Sequence, residues 1–207
     1  MLLFDLGAVI IPIDFSKTFR AFATLSGKST EEIQQLYLHH QEDTFLAFEK
    51  GQIGNHQFFN QVRSLLQLSP TITNDQVVAA WNALLLDIPK ERIERLQKLQ
   101  QQHTLCLLSN TNPIHIQEVN RILYKCTGVA MLEDLFSHTF YSYDMGLVKP
   151  FPDIYRYVSH HQDCPLNTIT FFDDHPDNVK GAAAVGIHSV TITPSYDILH
   201  ATESYIN

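Results

Sequence analysis

Five polar side chains have the types and the placing to do chemistry together: Asp5, Ser109, Lys149 and the pair Asp173-Asp174. Leu2-Leu3-Phe4 precedes Asp5, Leu105-Cys106-Leu107-Leu108 precedes Ser109, and Phe171-Phe172 precedes the acidic pair. Lys149 closes the run Gly146-Leu147-Val148. A carboxylate able to act as nucleophile, a hydroxyl, a lysine and a second acidic pair are the parts of metal-assisted phosphoryl transfer. Asp5 can attack phosphorus and carry it as an acyl-phosphate. A Mg²⁺ ion held by a few carboxylates and waters leaves room for a phosphate oxygen. Ser109 and Lys149 would neutralise and hydrogen-bond the other oxygens, which is most of the catalytic demand. Taken singly, each station is ordinary: a turn aspartate, a strand-end serine, a solvated lysine, a helix-capping acidic pair.

Bringing them together requires strands that end in one crevice, as parallel strands do in an open doubly wound sheet. The run from Leu2 to Leu6 is apolar on both faces, which suits a central parallel strand covered by helices. From Pro89 onward helix and strand alternate. Strands are expected at Thr104–Leu108, Phe136–Ser142, Ile169–Phe172 and Ser189–Ile192. Helices are expected at Glu91–Gln102, from the end of the next strand to about Tyr124, at Phe151–His161 and at Asp177–Ala184. Residues 15–87 read differently, as helix after helix. Phe15, Phe19, Phe22 and Ala23 form one apolar stripe, Ser29–Glu32 and Thr73–Gln76 are capping boxes, and Asn55 is placed as a helix cap. The expected architecture is α/β: a Rossmann-like three-layer core with a parallel sheet, formed by residues 1–14 and 88–207, and an α-helical cap formed by residues 15–87.

Composition narrows the classes. The chain has 207 residues, 44% hydrophobic and 17% charged, enough for one core and a small insert. A net charge of −8 argues against a nucleic-acid surface. No stretch approaches the roughly 20 apolar residues of a membrane span, and the N-terminal run lacks the basic region of a signal peptide. Cys106, Cys126 and Cys164 form no metal pattern, which points to a reducing, cytoplasmic setting. His39-His40 and His160-His161 are adjacent on helices, diverge by about 100° and do not share a metal; both pairs are read as surface.

Phe4-Asp5-Leu6-Gly7, Leu108-Ser109-Asn110-Thr111-Asn112, Gly146-Leu147-Val148-Lys149-Pro150 and Phe171-Phe172-Asp173-Asp174 with Asn178 and Gly181 stand in a fixed order. Together they resemble the four motifs of the haloacid dehalogenase (HAD) superfamily, specifically its helical-cap phosphatases. Phe-Asp-Leu-Gly and Ser-Asn-Thr-Asn are similar to the α-glucose-1-phosphatase, or sugar-phosphatase, branch. The resemblance covers the whole chain. It implies a Mg²⁺-dependent phosphatase acting on a small phosphomonoester through an aspartyl-phosphate. It assigns Asp5 as nucleophile and metal ligand, Asp174 as the main further ligand, Asp173 as a ligand direct or through water, and Gly7 as a ligand by its carbonyl only. Ser109, Lys149 and the backbone of Asn110 would hold the phosphate.

Position 7 departs from the superfamily pattern. Most of these phosphatases carry Asp there, as acid for the leaving oxygen and then base for water, an effect worth roughly 10²–10⁴-fold. Gly7 has no side chain for either task. Asp14 and His175 are the candidates for relaying the proton, although each also fits as a turn or helix-start residue, and that plainer reading is preferred. Glu49–Gly54 reads equally well as a plain loop and as a turn facing the crevice. The alternatives are a non-catalytic binding protein on the same fold and a phosphotransferase. Gly7 alone favours the first, and the missing acid–base group argues against the second.

Overall fold

A computed structural model describes residues 1–206. Its centre is a five-stranded, wholly parallel sheet of order β3-β2-β1-β4-β5, made of β1 (Leu2–Phe4), β2 (Leu105–Ser109), β3 (His138–Tyr141), β4 (Thr170–Asp173) and β5 (His188–Thr191). The order reverses on the two sides of β1, which makes the β1/β4 boundary the switch point where such sheets bind ligands. Period-two alternation divides the strands between two covering layers. Leu2, Phe4, Leu105, Leu107 and Phe172 pack on one face with helices α6 (Lys90–Gln100) and α7 (Pro113–Thr127). Leu3, Cys106, Leu108, Phe140 and Phe171 pack on the other with α9 (Pro152–His161) and α10 (Pro176–Ala184). The expected α/β three-layer core is therefore present, and Cys106 is fully buried within it.

Between β1 and α6 the chain forms α1 (Phe15–Ser26), α2 (Thr30–His39), a π turn (Gln41–Phe45), α3 (Leu46–Glu49), α4 (Asn55–Leu66) and α5 (Asn74–Asn82). These surround a separate aromatic core. Phe45 stacks on Trp81 with ring centroids 5.3 Å apart, and Phe48 stacks on Phe58 at 4.1 Å. Both expected capping boxes form, Ser29 with Glu32 and Thr73 with Gln76. Asn55 is the first helical residue rather than the cap; Gly54 holds that position, with Gln57 accepting from its N–H at 3.3 Å. The two chain crossings into this block pair with each other: Asp14 N–H donates to the Leu84 carbonyl at 2.8 Å, and Leu86 N–H to the Pro12 carbonyl at 3.1 Å.

Several expected bounds shift. The strand read as Phe136–Ser142 is shorter, because Leu132–Asp134 forms a 3₁₀ turn and Ser142–Met145 a turn of helix, α8. Strand β2 runs one residue further, through Ser109, and β4 through Asp173. A short helix, α11 (Ile198–Ala201), caps the first core layer. No helix among the described residues is long and apolar enough to cross a membrane.

Candidate active site

Asp5 continues β1 by one residue, its N–H donating to the Phe172 carbonyl at 2.9 Å, and Asp173 ends β4. Two carboxyls thus leave neighbouring strands side by side at the switch point. Lys149 Nζ lies 2.7 Å from Asp5 Oδ1 and 2.7 Å from Asp173 Oδ2, with the side chains of the lysine and Asp173 1% and 0% exposed. Burial alone would push the ammonium's pKa down; Asp5 and then Asp173 outweigh it and hold it above the ordinary lysine value. Burial pushes the Asp5 carboxyl up to about 7, opposed by Lys149 and aided by Asp173. The two directions pull against each other, and the lysine decides: an ammonium shut between two carboxyls is stable only while they share negative charge with it.

The surroundings fix that lysine. The Asn110 side chain clamps its backbone both ways: Oδ1 accepts from Lys149 N–H at 2.9 Å, and Nδ2 donates to the Lys149 carbonyl at 3.0 Å. The side chain of Asn110 is therefore committed to holding the Lys149 segment. Nζ sits 5.5 Å over the Phe171 ring. Helix α10 approaches so closely at Gly181 that an added Cβ would lie 2.3 Å from the Pro150 carbonyl oxygen, so no larger residue fits without moving the Lys149 segment.

Asp173 is saturated. Its Oδ1 accepts from His175 N–H at 2.8 Å and its Oδ1 and Oδ2 both from Asn178 Nδ2 at 3.1 Å, besides the lysine. Asp174 stands more open. Burial and then the neighbouring Asp173 raise its pKa. Asp5, Asp173 and Asp174 each offer an oxygen within 4.8 Å of the others. Ser109, 3% exposed, ends β2 beside them. The stations expected together are together.

Gly7 lies in the turn after β1. Its carbonyl accepts from Val9 N–H at 2.7 Å, leaving one lone pair. The left-handed residue of this turn is Ala8, at φ 56°, and not Gly7. An added Cβ at position 7 would meet only the tip of Ile13 at 3.4 Å, so the backbone there accepts a side chain.

The two expected proton-relay candidates are helix starts. Asp14 caps α1 by accepting from Ser16 N–H at 3.0 Å, and hydrogen bonding from Ser16, its side chain first and then its backbone, ahead of Arg20, keeps the Asp14 pKa below the ordinary value. His175 is exposed and caps α10, its Nδ1 accepting from Asp177 N–H at 3.3 Å.

A cavity of about 100 Å³ is lined by Gly7, Ser109 and Asn110, by Tyr37 and Glu49 of the helical block, and by His115 of α7. Glu49 and His115 are the residues that reading the sequence did not single out as functional. His115 stacks on Trp81 at 4.9 Å, and its Nδ1 lies 2.7 Å from Asn82 Oδ1, which only accepts, so Nδ1 carries the proton. Burial pushes the imidazole pKa down to about 3, so the ring is neutral. Glu49 makes no hydrogen bond or ion pair among the described residues, and burial pushes its carboxyl up to about 7 against the pull of Lys149. The signal in the sequence was the pair of glycines after it. Gly51, at φ 65°, lets the end of α3 come so near α8 that an added Cβ would lie 2.1 Å from the Tyr143 carbonyl oxygen.

Comparison with known proteins agrees with this geometry. Residues 3–186 match the haloacid dehalogenase-like hydrolase family. The D-ribitol-5-phosphate phosphatase of Bacteroides thetaiotaomicron is 24% identical over 188 residues, covering 91% of this chain and 89% of that protein. A HAD family enzyme of the same organism, solved in complex with magnesium and inorganic phosphate, superimposes with a TM-score of 0.87 at 31% identity over 97% of both chains. A predicted HAD-like family hydrolase of Porphyromonas gingivalis gives 0.86 at 25% identity, over 100% of this chain and 97% of that one. The order of the motifs, the crevice they form and these matches lead to one conclusion: the chain belongs to the haloacid dehalogenase-like hydrolases.

Proposed function

We propose that the protein is a Mg²⁺-dependent phosphatase of a small phosphomonoester, of the sugar- or polyol-phosphate class, working through a phosphorylated Asp5. The observation that carries this is the buried Asp5–Lys149–Asp173 cluster, 2.7 Å on each side, beside Ser109 and Asp174 at the switch point. A structural role alone would be served as well by apolar residues of similar volume.

The residues fit the metal. Three carboxylates with mutually close oxygens are the hard donor set that Mg²⁺ takes, usually with one or two direct carboxylates and retained water. Asp5, Asp174 and the Gly7 carbonyl would hold it, and it would supply positive charge to a phosphate oxygen. Asp173, with both oxygens already bonded, serves by fixing Lys149 and the Asp174 loop. Lys149 and Ser109 orient and neutralise the phosphoryl oxygens, and the Asp5 carboxylate attacks phosphorus in line. Residues 15–87 act as a cap that walls the cavity, excludes water and selects the leaving group. The polyol phosphate named for the Bacteroides phosphatase supports a hydroxylated leaving group, as does Trp81, which lines the cavity and whose buried indole N–H has no partner. Free cysteines support a reducing, cytoplasmic setting.

A panel of sugar, polyol and aryl phosphates, assayed with Mg²⁺ and with EDTA, tests the reading. Turnover that needs Mg²⁺ and favours small hydroxylated esters is expected. Absence of Mg²⁺-dependent phosphate release from every ester would overturn it.

A further inference from the structure

We propose that Glu49, carried by the cap and not by the core, is the proton donor to the leaving oxygen and afterwards the base for the attacking water. This rests on the phosphatase reading and adds the group that reading lacks.

Four observations carry it. Gly7, where a carboxyl is missing, lines the same cavity as Glu49, together with Ser109 and Asn110. Glu49 is the one carboxyl lining that cavity, and it is not committed elsewhere: no hydrogen bond or ion pair holds it among the described residues. Its position is fixed nonetheless. Phe48, 1% exposed, plugs the aromatic core one residue before it, and Gly51 seats the following turn against Tyr143 two residues after it. Finally, the other ionisable groups of the wall are poor donors at neutral pH. Burial raises the Tyr37 phenol far above its usual range, and the His115 ring is neutral with its one proton given to Asn82. The charged group facing Glu49 is Lys149, which opposes burial without cancelling it, and a carboxyl near 7 is matched to giving and taking a proton at neutral pH.

The chemistry balances. As Asp5 bonds to phosphorus, the ester P–O bond breaks, its electron pair stays on the leaving oxygen, and that oxygen takes the Glu49 proton. Glu49, now a carboxylate, removes a proton from water as the water oxygen attacks the phosphorylated Asp5. The P–O bond to Asp5 breaks, inorganic phosphate leaves, and Glu49 is again protonated.

The test uses Glu49→Gln, isosteric and unable to transfer the proton, in single-turnover reactions with Mg²⁺ on a polyol phosphate and on p-nitrophenyl phosphate. Alkyl alcohols need the proton to leave and nitrophenolate does not. The variant should lose roughly 10²–10⁴-fold in the rate of alcohol release from the polyol ester and less than tenfold in nitrophenolate release, while the later breakdown of phosphorylated Asp5, common to both esters, slows alike for both. The fall of the wild-type polyol rate above about pH 7 should disappear in the variant, and Gly7→Asp combined with Glu49→Gln should recover polyol turnover. Equal losses in leaving-group release from both esters would make Glu49 a positioning residue, and no loss in either release or breakdown of phosphorylated Asp5 would remove it from the reaction; each overturns the proposal. Failure of wild type on both esters, with Mg²⁺ present, would overturn the phosphatase reading and this assignment with it.

Discussion

The crevice has two walls built on opposite principles. On the core side the buried charges are answered: Lys149 by two carboxyls, Asp173 by the lysine, a backbone N–H and Asn178. On the cap side one carboxyl, Glu49, lines the cavity with no hydrogen bond or ion pair among the described residues, mounted on an aromatic cluster of Phe45, Phe48, Phe58 and Trp81. The difference separates two tasks. Groups that hold a phosphoryl charge need fixed, satisfied partners, because electrostatic stabilisation depends on not reorganising. A group that moves a proton must keep both its protonation states accessible, and a strong partner would lock one of them.

The contrast can be broken most severely from the core side. Asp5→Asn should remove turnover, by at least about 10⁴-fold, while the circular dichroism spectrum stays native, since the amide replaces the carboxyl without changing its shape. Retained phosphate release within tenfold of wild type would show that the core wall is not the nucleophilic one. Lys149→Met should destabilise the fold by about 3–5 kcal/mol in urea titration, because it leaves Asp5 and Asp173 buried beside each other without a counter-charge. A loss under about 1 kcal/mol would mean that the cluster is not under the electrostatic demand described.

Smaller changes sharpen the comparison. Gly51→Ala should push the end of α3 off Tyr143 and slow alcohol release from polyol phosphates more than leaving-group release from aryl phosphates, by roughly tenfold, since only the first release needs the Glu49 proton. Equal losses would assign Gly51 to folding alone. The smallest expected effect is one of stability. The folded-state pKa of Glu49 is raised to about 7 from 4.5, so its contribution is intact below the unfolded value and is lost as pH rises through 7. Glu49→Gln, which cannot ionise, should therefore match wild type near pH 4.5 and exceed it at pH 8.5. Discounted for partial exposure, the gain is about 1–2 kcal/mol, or a Tm rise of ~2–6 °C. A variant less stable at pH 8.5 than at pH 4.5, relative to wild type, would reverse the sign of the argument.

The core wall was legible in the sequence, whereas of the cap wall the sequence raised only the Glu49–Gly54 turn, as equally a plain loop or a turn facing the crevice, for a physical reason. Asp5, Ser109 and Asp173 each stand at the end of a buried strand, and in a parallel sheet the strand end determines which crevice a side chain enters. Asp5, Ser109 and Asp173 could thus be placed together although 168 residues separate the first from the last. Glu49 depends instead on the rotation of a helix. The π turn at Gln41–Phe45 shifts the phase of the apolar stripe, so that Phe45 and Phe48 enter the cap core and Glu49, about 100° further round, meets the cavity. No periodicity announces such a shift. Gly7 shows a second limit. A glycine after a strand suggests special backbone angles, yet Ala8 adopts them, and Gly7→Asp is open to experiment on that account. Asp14 and His175 were recognisable as helix starts, and the hydrogen bonds of both confirm the plainer reading.

The paired crossings at Pro12–Asp14 and Leu84–Leu86 have an evolutionary consequence. Because the strand entering the helical block and the strand leaving it are hydrogen-bonded neighbours, the block is plugged into the core through one port. A recombination event at that port exchanges a whole cassette. It replaces the proton donor and the wall that reads the leaving group in a single step, and leaves Asp5, Lys149 and Asp173 on their strands. A lineage built this way can do without a carboxyl in its first motif and acquire one from the cassette, so that reaction and specificity are inherited as one piece.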